Sequence, residues 1–250
     1  MMGPLRYEWV RISTVRSTWF LIALSVVVSG GLALFVSWLV GAVGDAAGGP
    51  PDGQGPGGVA SFLPLAAAVL CTIGAASFGQ EYRHGLIRIT LSTFPRRTPV
   101  FIAKALMVAL VIAAASLLVI GGLVLAEALG GAIGGQGLTW DDSVWGMTGV
   151  RAILFVVLFV LIAFALTALT RNQPLGIIAP IVLAAVVEPI VGTVAFVQGW
   201  AWMDWALPFS GGAAAVSTEG AEAWGHLGVF AAWFLVLAIP AWILFEKRDA

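Results

Sequence analysis

The stretch between Arg151 and Arg171, AILFVVLFVLIAFALTALT, determines the fold class. Its nineteen residues carry no charge. As an α-helix, a segment of this length rises about 28 Å, close to the thickness of the hydrocarbon layer of a bilayer. The two flanking arginines would then lie in the two polar interfaces, so the stretch predicts a transmembrane helix.

Five more apolar stretches are long enough to cross a membrane, and the chain is 60% hydrophobic with a mean hydropathy of +1.01. We therefore predict an all-α membrane protein with six transmembrane helices, forming a single transmembrane domain over residues 1–250. In the third span, Lys104 is expected to extend its ammonium group to the nearby interface. The glycines between Gly130 and Gly137 are assigned to the following loop. The predicted spans are residues 19–43, 59–79, 99–126, 151–171, 174–197 and 223–245.

The basic residues fall almost entirely on one side of these spans. Eleven of the twelve Lys and Arg lie on the side of the N-terminus, and Arg151 alone lies on the other. Short loops that are rich in Lys and Arg stay in the cytoplasm. We predict a multi-pass protein of the cell (plasma) membrane with both termini cytoplasmic.

Several functional classes are excluded by composition and by missing motifs. The net charge is −1 and the basic residues are scattered, so no nucleic-acid partner is expected. The chain has no G-x-x-x-x-G-K-[ST] loop, G-x-S-x-G turn or H-E-x-x-H helix. Two histidines and one cysteine do not make a metal set, and Cys71 is expected in the core. We therefore predict a non-catalytic subunit without catalytic, cofactor-binding or metal-binding residues.

The first sixteen residues precede the first span and have an amphipathic pattern. Leu5, Trp9 and Ile12 recur at i, i+4 and i+7, and Arg6, Arg11 and Arg16 fall outside that stripe. The pattern favours a helix in residues 1–16 that lies on the inner leaflet. A role of the arginines in orienting the first span is compatible with it.

The segment 80–97 is too polar for hydrocarbon and predicts a short cytoplasmic helix. In QEYRHGLIRITLSTF, residues 80–94, an α-helix places Tyr82, Leu86 and Ile89 on one face. Pro95 would end it, and the following arginines return the chain to the membrane. Such a compact segment could bind a partner protein, or it could only anchor the chain at the cytoplasmic membrane surface. The pattern does not distinguish between the two.

Three segments resemble the permease (membrane) subunit of an ABC-2 type ATP-binding-cassette exporter. They are LRYEWVRISTVRSTWF (residues 5–20), FGQEYRHGLIRITLSTFPRRTPVFIAKAL (78–106) and LPFSGGAAA (207–215). The resemblance covers nearly the whole chain, and the middle segment is the most specific.

The resemblance implies that residues 80–97 form a coupling helix that contacts a separate cytoplasmic ATP-binding-cassette ATPase, which would hold ATP and Mg. It also implies a second permease subunit, in a homodimer or a heterodimer, with membrane lipid around the pair. A re-entrant turn within the outer segment 198–222 would precede the last span. The implied ATPase contacts are Glu81, Tyr82, Arg83, His84, Gly85 and Arg88.

Glu188 is the one acidic residue predicted inside a span, and its neighbour Pro189 makes the fifth span irregular. It could be a polar contact in a translocation pathway, or it could be solvated near the outer interface or cap a helix break. With the resemblance, the predicted function is export of a hydrophobic or amphipathic substrate, driven by a separate ATPase subunit. The alternative is a secondary, ion-coupled transporter without an ATPase partner.

Overall fold

The computed structural model describes residues 2–47, 58–94, 96–135, 146–218 and 220–247, and every secondary-structure element among them is helical. A π-helical segment, Leu183–Val187, joins α7 to α8 without a break. In chain order the helices are α1 (Met2–Thr14), α2 (Arg16–Ala47), α3 (Val59–Arg83), α4 (Ile87–Thr93), α5 (Arg97–Ile133), α6 (Met147–Thr170), α7 (Gln173–Val182), α8 (Glu188–Gln198), α9 (Met203–Ala206), α10 (Pro208–Ser217) and α11 (Ala221–Lys247).

Six helical segments within these described ranges are long and apolar enough to cross a membrane. They are α2, α3, α5, α6, the joined α7 and α8, and α11. The prediction of an all-α protein with six spans is confirmed. The interfacial position of α1 and the re-entrant path before α11 stay predictions.

The third span is longer than predicted. We expected it to end near Ala126, but α5 continues through Gly130 and Gly131 to Ile133. A Cβ on Gly130 would overlap the carbonyl oxygen of Leu34, and one on Gly134 would lie 2.9 Å from the Cα of Gly41. Gly130 and Gly131 therefore lie in the helix, where our loop assignment was wrong, and they allow α5 to approach α2 closely. Gly134 and Gly135 lie in a turn after α5, as assigned, and Gly137 lies outside the described residues.

Two connections between predicted spans fall mainly outside the described residues. They are positions 48–57, after the first span, and positions 136–145, after the third. Pro95, the predicted end of the cytoplasmic helix, is also outside the described part.

The core centres on α6. In its most apolar 18-residue stretch 67% of the residues are buried, compared with 11% in the corresponding stretch of the joined α7 and α8. Phenylalanines fill the core at two levels. Phe78 and Phe164 are 5.1 Å apart between ring centroids at one level, and Phe159 and Phe209 are 4.8 Å apart at the other. The first contact joins α3 to α6 and the second joins α6 to α10, so α6 packs against both helices through its phenylalanines.

The predicted irregularity of the fifth span is confirmed. Pro189 has no N–H group to donate to the carbonyl of Ala185, and the helical ladder shifts to π geometry over Leu183–Val187 immediately before it. The shift places Glu188 at the start of α8, where its side chain is 3% exposed.

Candidate functional site

The segment 80–97 lies at one end of the bundle and contains the end of α3 and all of α4, where we predicted a single helix. α3 runs to Arg83, and α4 begins at Ile87. Gly85 lies between them with φ +68°, a left-handed conformation that breaks a right-handed helix and that glycine adopts without strain. The predicted continuous helix over residues 80–94 is therefore wrong.

The break also changes which side chains of this segment face outward. Ile87 and Thr90 are buried and anchor α4, whereas Leu86 and Ile89 are 45% and 64% exposed. The predicted face made of Tyr82, Leu86 and Ile89 does not exist as a buried stripe. The exposed residues form what we call the α3–α4 surface: Arg83, His84, Gly85, Leu86, Arg88 and Ile89.

Tyr82 lies at the edge of this surface and is half-buried. Its ring stacks on Phe78, with centroids 6.0 Å apart, and the Arg171 guanidinium lies 5.1 Å from its centroid. Arg171 is in the short turn between α6 and α7. Tyr82 therefore connects the end of α3 with the start of the fifth span.

A buried charge cluster lies behind the α3–α4 surface and consists of Glu8, Arg11, Glu81 and Lys104. Lys104 Nζ lies 2.6 Å from Glu8 Oε1 and 2.5 Å from Glu81 Oε1. Arg11 is within 2.8 Å of both carboxylates. Two acids balance two bases, and each buried charge has partners of opposite sign, which is the condition under which ionised groups tolerate burial. The charge cluster ties α1 and α5 to the last turn of α3.

This arrangement corrects two of our predictions. Lys104 is fully buried and does not extend to the interface, because two carboxylates neutralise it inside the protein. Glu81 is 2% exposed, so its carboxylate is not available for direct contact with a protein docked on the α3–α4 surface.

The amphipathic interpretation of α1 also needs correction. Ile12 is buried and Trp9 is 54% exposed, so the stripe of Leu5, Trp9 and Ile12 does not share one environment. Glu8 and Arg11 point into the charge cluster and define the inward face of α1. A signal for this was present in the sequence: Lys104 lies five residues after the start of the predicted span 99–126, and an ionised group inside an apolar span predicts a buried partner of opposite charge.

An open cleft of about 830 Å³ lies beside Tyr82, between the end of α3 and the start of α7. The polar residues 171–173, which connect α6 to the first turn of α7, form one wall. Gly79 allows the walls to meet, because a Cβ there would overlap the side chain of Gln173. The cleft is lined by Gly79, Tyr82, Arg83, Arg171, Asn172, Gln173, Pro174 and Ile177.

Glu188 lies away from the cleft and the α3–α4 surface. It begins α8, and its carboxylate contacts the N-terminus of α10. Its Oε1 accepts a hydrogen bond from the backbone N–H of Phe209 at 3.0 Å, and its Oε2 accepts from the N–H and hydroxyl of Ser210 at 2.6 and 2.7 Å. These bonds satisfy donors that a helix start leaves open. They match the capping interpretation of Glu188, and they account for its burial without a substrate.

Comparison with known proteins gives the family. The sequence matches the family model of the ABC-2 family transporter protein over residues 5–188, well over half of the chain. The match includes α1, the charge cluster, the α3–α4 surface and the fifth span as far as Glu188. No curated protein matches the sequence. With six spans and this match, the chain is a multi-pass membrane protein of the transport class, and it belongs to the ABC-2 family of transporter proteins.

Proposed function

We propose that the chain is the permease subunit of an ATP-driven exporter, and that a separate ATP-binding-cassette ATPase docks on the α3–α4 surface. The observation that carries the proposal is the exposure of Leu86 and Ile89 beside the charged Arg83 and Arg88 on a projecting segment. Apolar anchors rimmed by charges are typical of surfaces that bind a protein. His84 and Gly85 belong to the same surface, and Tyr82 borders it.

The buried charge cluster supports a route for force from this surface into the membrane. The α3 helix is continuous from the membrane to Arg83. In its last turns, Glu81 is paired with Lys104 of α5 and with Arg11 of α1. A push on the α3–α4 surface would therefore move α3, α1 and α5 together and shift the balance between inward-open and outward-open arrangements.

The proposal assigns ATP and Mg to the partner ATPase and neither to this chain. It includes a second permease subunit, identical or different, a hydrophobic or amphipathic substrate, and a location in the cell membrane with both termini cytoplasmic. Glu188 is proposed to hold α10 in place, and a contact with substrate stays a prediction.

Co-purification of the tagged protein from its native membrane in mild detergent tests the docking surface. Ile89→Ser is expected to lower the amount of bound ATPase at least fivefold, because it removes an exposed apolar anchor. Ile133→Ser is the matched control, since Ile133 is 65% exposed at the opposite end of the bundle. Equal ATPase recovery with both variants, or substrate transport by the purified chain without ATP, would contradict the proposal; ATP-independent transport would favour the ion-coupled alternative.

A further inference from the structure

A second cavity, of about 210 Å³, lies between the first turns of α2 and the last turns of α3. Two contacts bound it along α3. At one, the Ser25 hydroxyl donates to the carbonyl of Ala66 at 3.1 Å. At the other, the Arg11 guanidinium donates to the carbonyl and hydroxyl of Ser77 at 2.9 and 3.2 Å. Thr72 lies between the two contacts and lines the cavity, which has room for about seven water molecules.

The wall of this cavity contains hydrogen-bonding groups that the protein leaves without a partner. Thr18 is only 9% exposed, and its hydroxyl makes no hydrogen bond to any residue that the structure describes. The same holds, within the described part of the chain, for the Thr72 hydroxyl and the side-chain amides of Gln80 and Gln173. Buried polar groups in proteins are hydrogen-bonded as a rule, so the enclosed Thr18 hydroxyl indicates a partner inside the cavity.

The cavity offers a ligand no uncompensated charge. Arg11 is the one charged residue among the described residues that line it. Glu8 and Glu81 each lie 2.8 Å from its guanidinium, so the charge is neutralised within the charge cluster. Hydroxyls and side-chain amides both donate and accept hydrogen bonds, and they fit a ligand group that does the same. An uncharged group that carries hydroxyls has this chemistry.

An apolar face of α2 continues from the cavity. Leu21 lines the cavity, and Leu24 and Val28 follow it at i+3 and i+7 on the same side of the helix. Leu24 is half-buried and Val28 is 39% exposed. From Ser17, an exposed lining residue, to Val28 the helix rises about 16 Å. A molecule with its headgroup in the cavity can therefore lay an apolar chain against the first span.

We propose that this cavity binds the uncharged, hydroxyl-bearing headgroup of a neutral lipid such as diacylglycerol, with an acyl chain along Leu21, Leu24 and Val28. The hydroxyls of Thr18 and Thr72 hydrogen-bond the headgroup. The depth in the membrane is suitable, because Trp19 lies at the same end of α2 and is 59% exposed. Exposed tryptophans at the ends of spans lie at the level of lipid headgroups.

Native mass spectrometry of the purified protein tests the headgroup, with diacylglycerol and phosphatidylglycerol of the same acyl chains. An amine-oxide detergent is used, because its headgroup has no hydroxyl that would compete for the cavity. Wild type is expected to retain diacylglycerol preferentially. Thr72→Val removes a hydroxyl and keeps the side-chain shape, so it should weaken diacylglycerol binding about fivefold, the effect of one hydrogen bond. Thr193→Val on α8 is the control, since Thr193 is exposed and does not line the cavity.

Thr18→Val separates a ligand contact from a structural role. Since the Thr18 hydroxyl has no partner among the described residues, the change should leave the thermal unfolding midpoint without lipid unchanged or slightly higher. The same change should weaken diacylglycerol binding. A lowered midpoint in the absence of lipid would show that the hydroxyl bonds within the protein, and would contradict the proposal.

Ala76→Leu tests the cavity by filling it. Ala76 is half-buried and lines the cavity, whereas Ala68, also half-buried on α3, does not. Ala76→Leu should abolish diacylglycerol retention, and Ala68→Leu should preserve it.

Three results would each overturn the proposal: equal retention of the two lipids by wild type, equal loss in Thr72→Val and Thr193→Val, or displacement of diacylglycerol by millimolar glycerol. The last would indicate a site for a soluble polyol. The outcome is independent of the proposed function, because Thr72→Val is expected to retain the ATPase during co-purification and Ile89→Ser is not.

Discussion

Glu188 and Arg151 hold opposite ends of α10. The Glu188 carboxylate accepts the N–H groups of Phe209 and Ser210 at the first turn, and the Arg151 guanidinium donates to the carbonyl of Thr218, the C-cap residue. A negative group at the N-terminus and a positive group at the C-terminus both interact favourably with the helix dipole. Arg151, the one basic residue predicted on the membrane side opposite the other eleven, thus has a hydrogen-bond partner within the protein. The pair fixes a ten-residue helix between α6 and the fifth span.

Glu188→Ala is expected to lower the stability of the protein by about 3 kcal/mol, because buried donors at the start of α10 lose charged acceptors. Glu188→Gln keeps one acceptor oxygen and should cost less. Thermal unfolding in detergent measures both, and Glu222→Ala, an exposed acid in the first turn of α11, is the control. If Glu188→Gln folds with unchanged stability but abolishes transport, the residue acts on substrate and the capping role is insufficient.

The charge cluster makes a prediction about pairs of substitutions. Lys104→Met should destabilise the protein by about 3–5 kcal/mol, because it leaves Glu8 and Glu81 buried with Arg11 alone. Adding Glu81→Gln should recover part of the loss, since Glu8 and Arg11 then balance each other. Arg88→Met, at an exposed position, should change little. Additive effects of Lys104→Met and Glu81→Gln would mean that the two side chains are not energetically coupled.

The number of transmembrane spans and the all-α fold class follow from the sequence, because a span depends on a local property. That property is the absence of charge over about twenty residues. The stretch between Arg151 and Arg171 needs no knowledge of its neighbours. The partners of Lys104 and Glu188 could not be assigned in the same way, because they come from α1, α3 and α10, distant in sequence. A buried ion in a span predicts that a partner exists, but the packing of helices determines which one.

Glycines were the other source of error, because glycine forms a turn at one position and permits close helix packing at another. Gly85 ends a helix with a positive φ, whereas Gly130 continues one against α2. Our predictions were wrong in opposite directions, with a helix through Gly85 and a loop at Gly130. The difference arises from tertiary contact, which the local pattern around Gly130 does not contain.

Gly130→Ala is expected to destabilise the contact between α2 and α5 by about 1–3 kcal/mol, because the new methyl group overlaps the backbone at Leu34 and the helices must separate. Gly31→Ala on α2 is the matched control. A Cβ at Gly31 meets no atom within 4 Å, so this change should leave stability unchanged or raise it slightly through helix propensity. Unfolding midpoints in the same detergent give the comparison. A midpoint for Gly130→Ala as high as that of Gly31→Ala would show that α2 and α5 do not pack this closely.

The orientation in the membrane can be tested at the two ends of α11, the last span. Ala221 and Lys247 are both exposed and lie at its opposite ends. Because the basic end is expected in the cytoplasm, Ala221→Cys should react with a membrane-impermeant maleimide in intact cells. Lys247→Cys should react only after the membrane is permeabilised.

The native thiol provides an internal control for this labelling. Cys71 is fully buried, and its Sγ lies 2.9 Å from the carbonyl oxygen of Ala68. The parent protein should therefore stay unlabelled before and after permeabilisation, and any signal in the variants comes from the introduced cysteine. The reverse labelling pattern would place the α3–α4 surface outside the cell, where no ATP-hydrolysing partner could drive it, and would overturn the docking proposal together with the orientation.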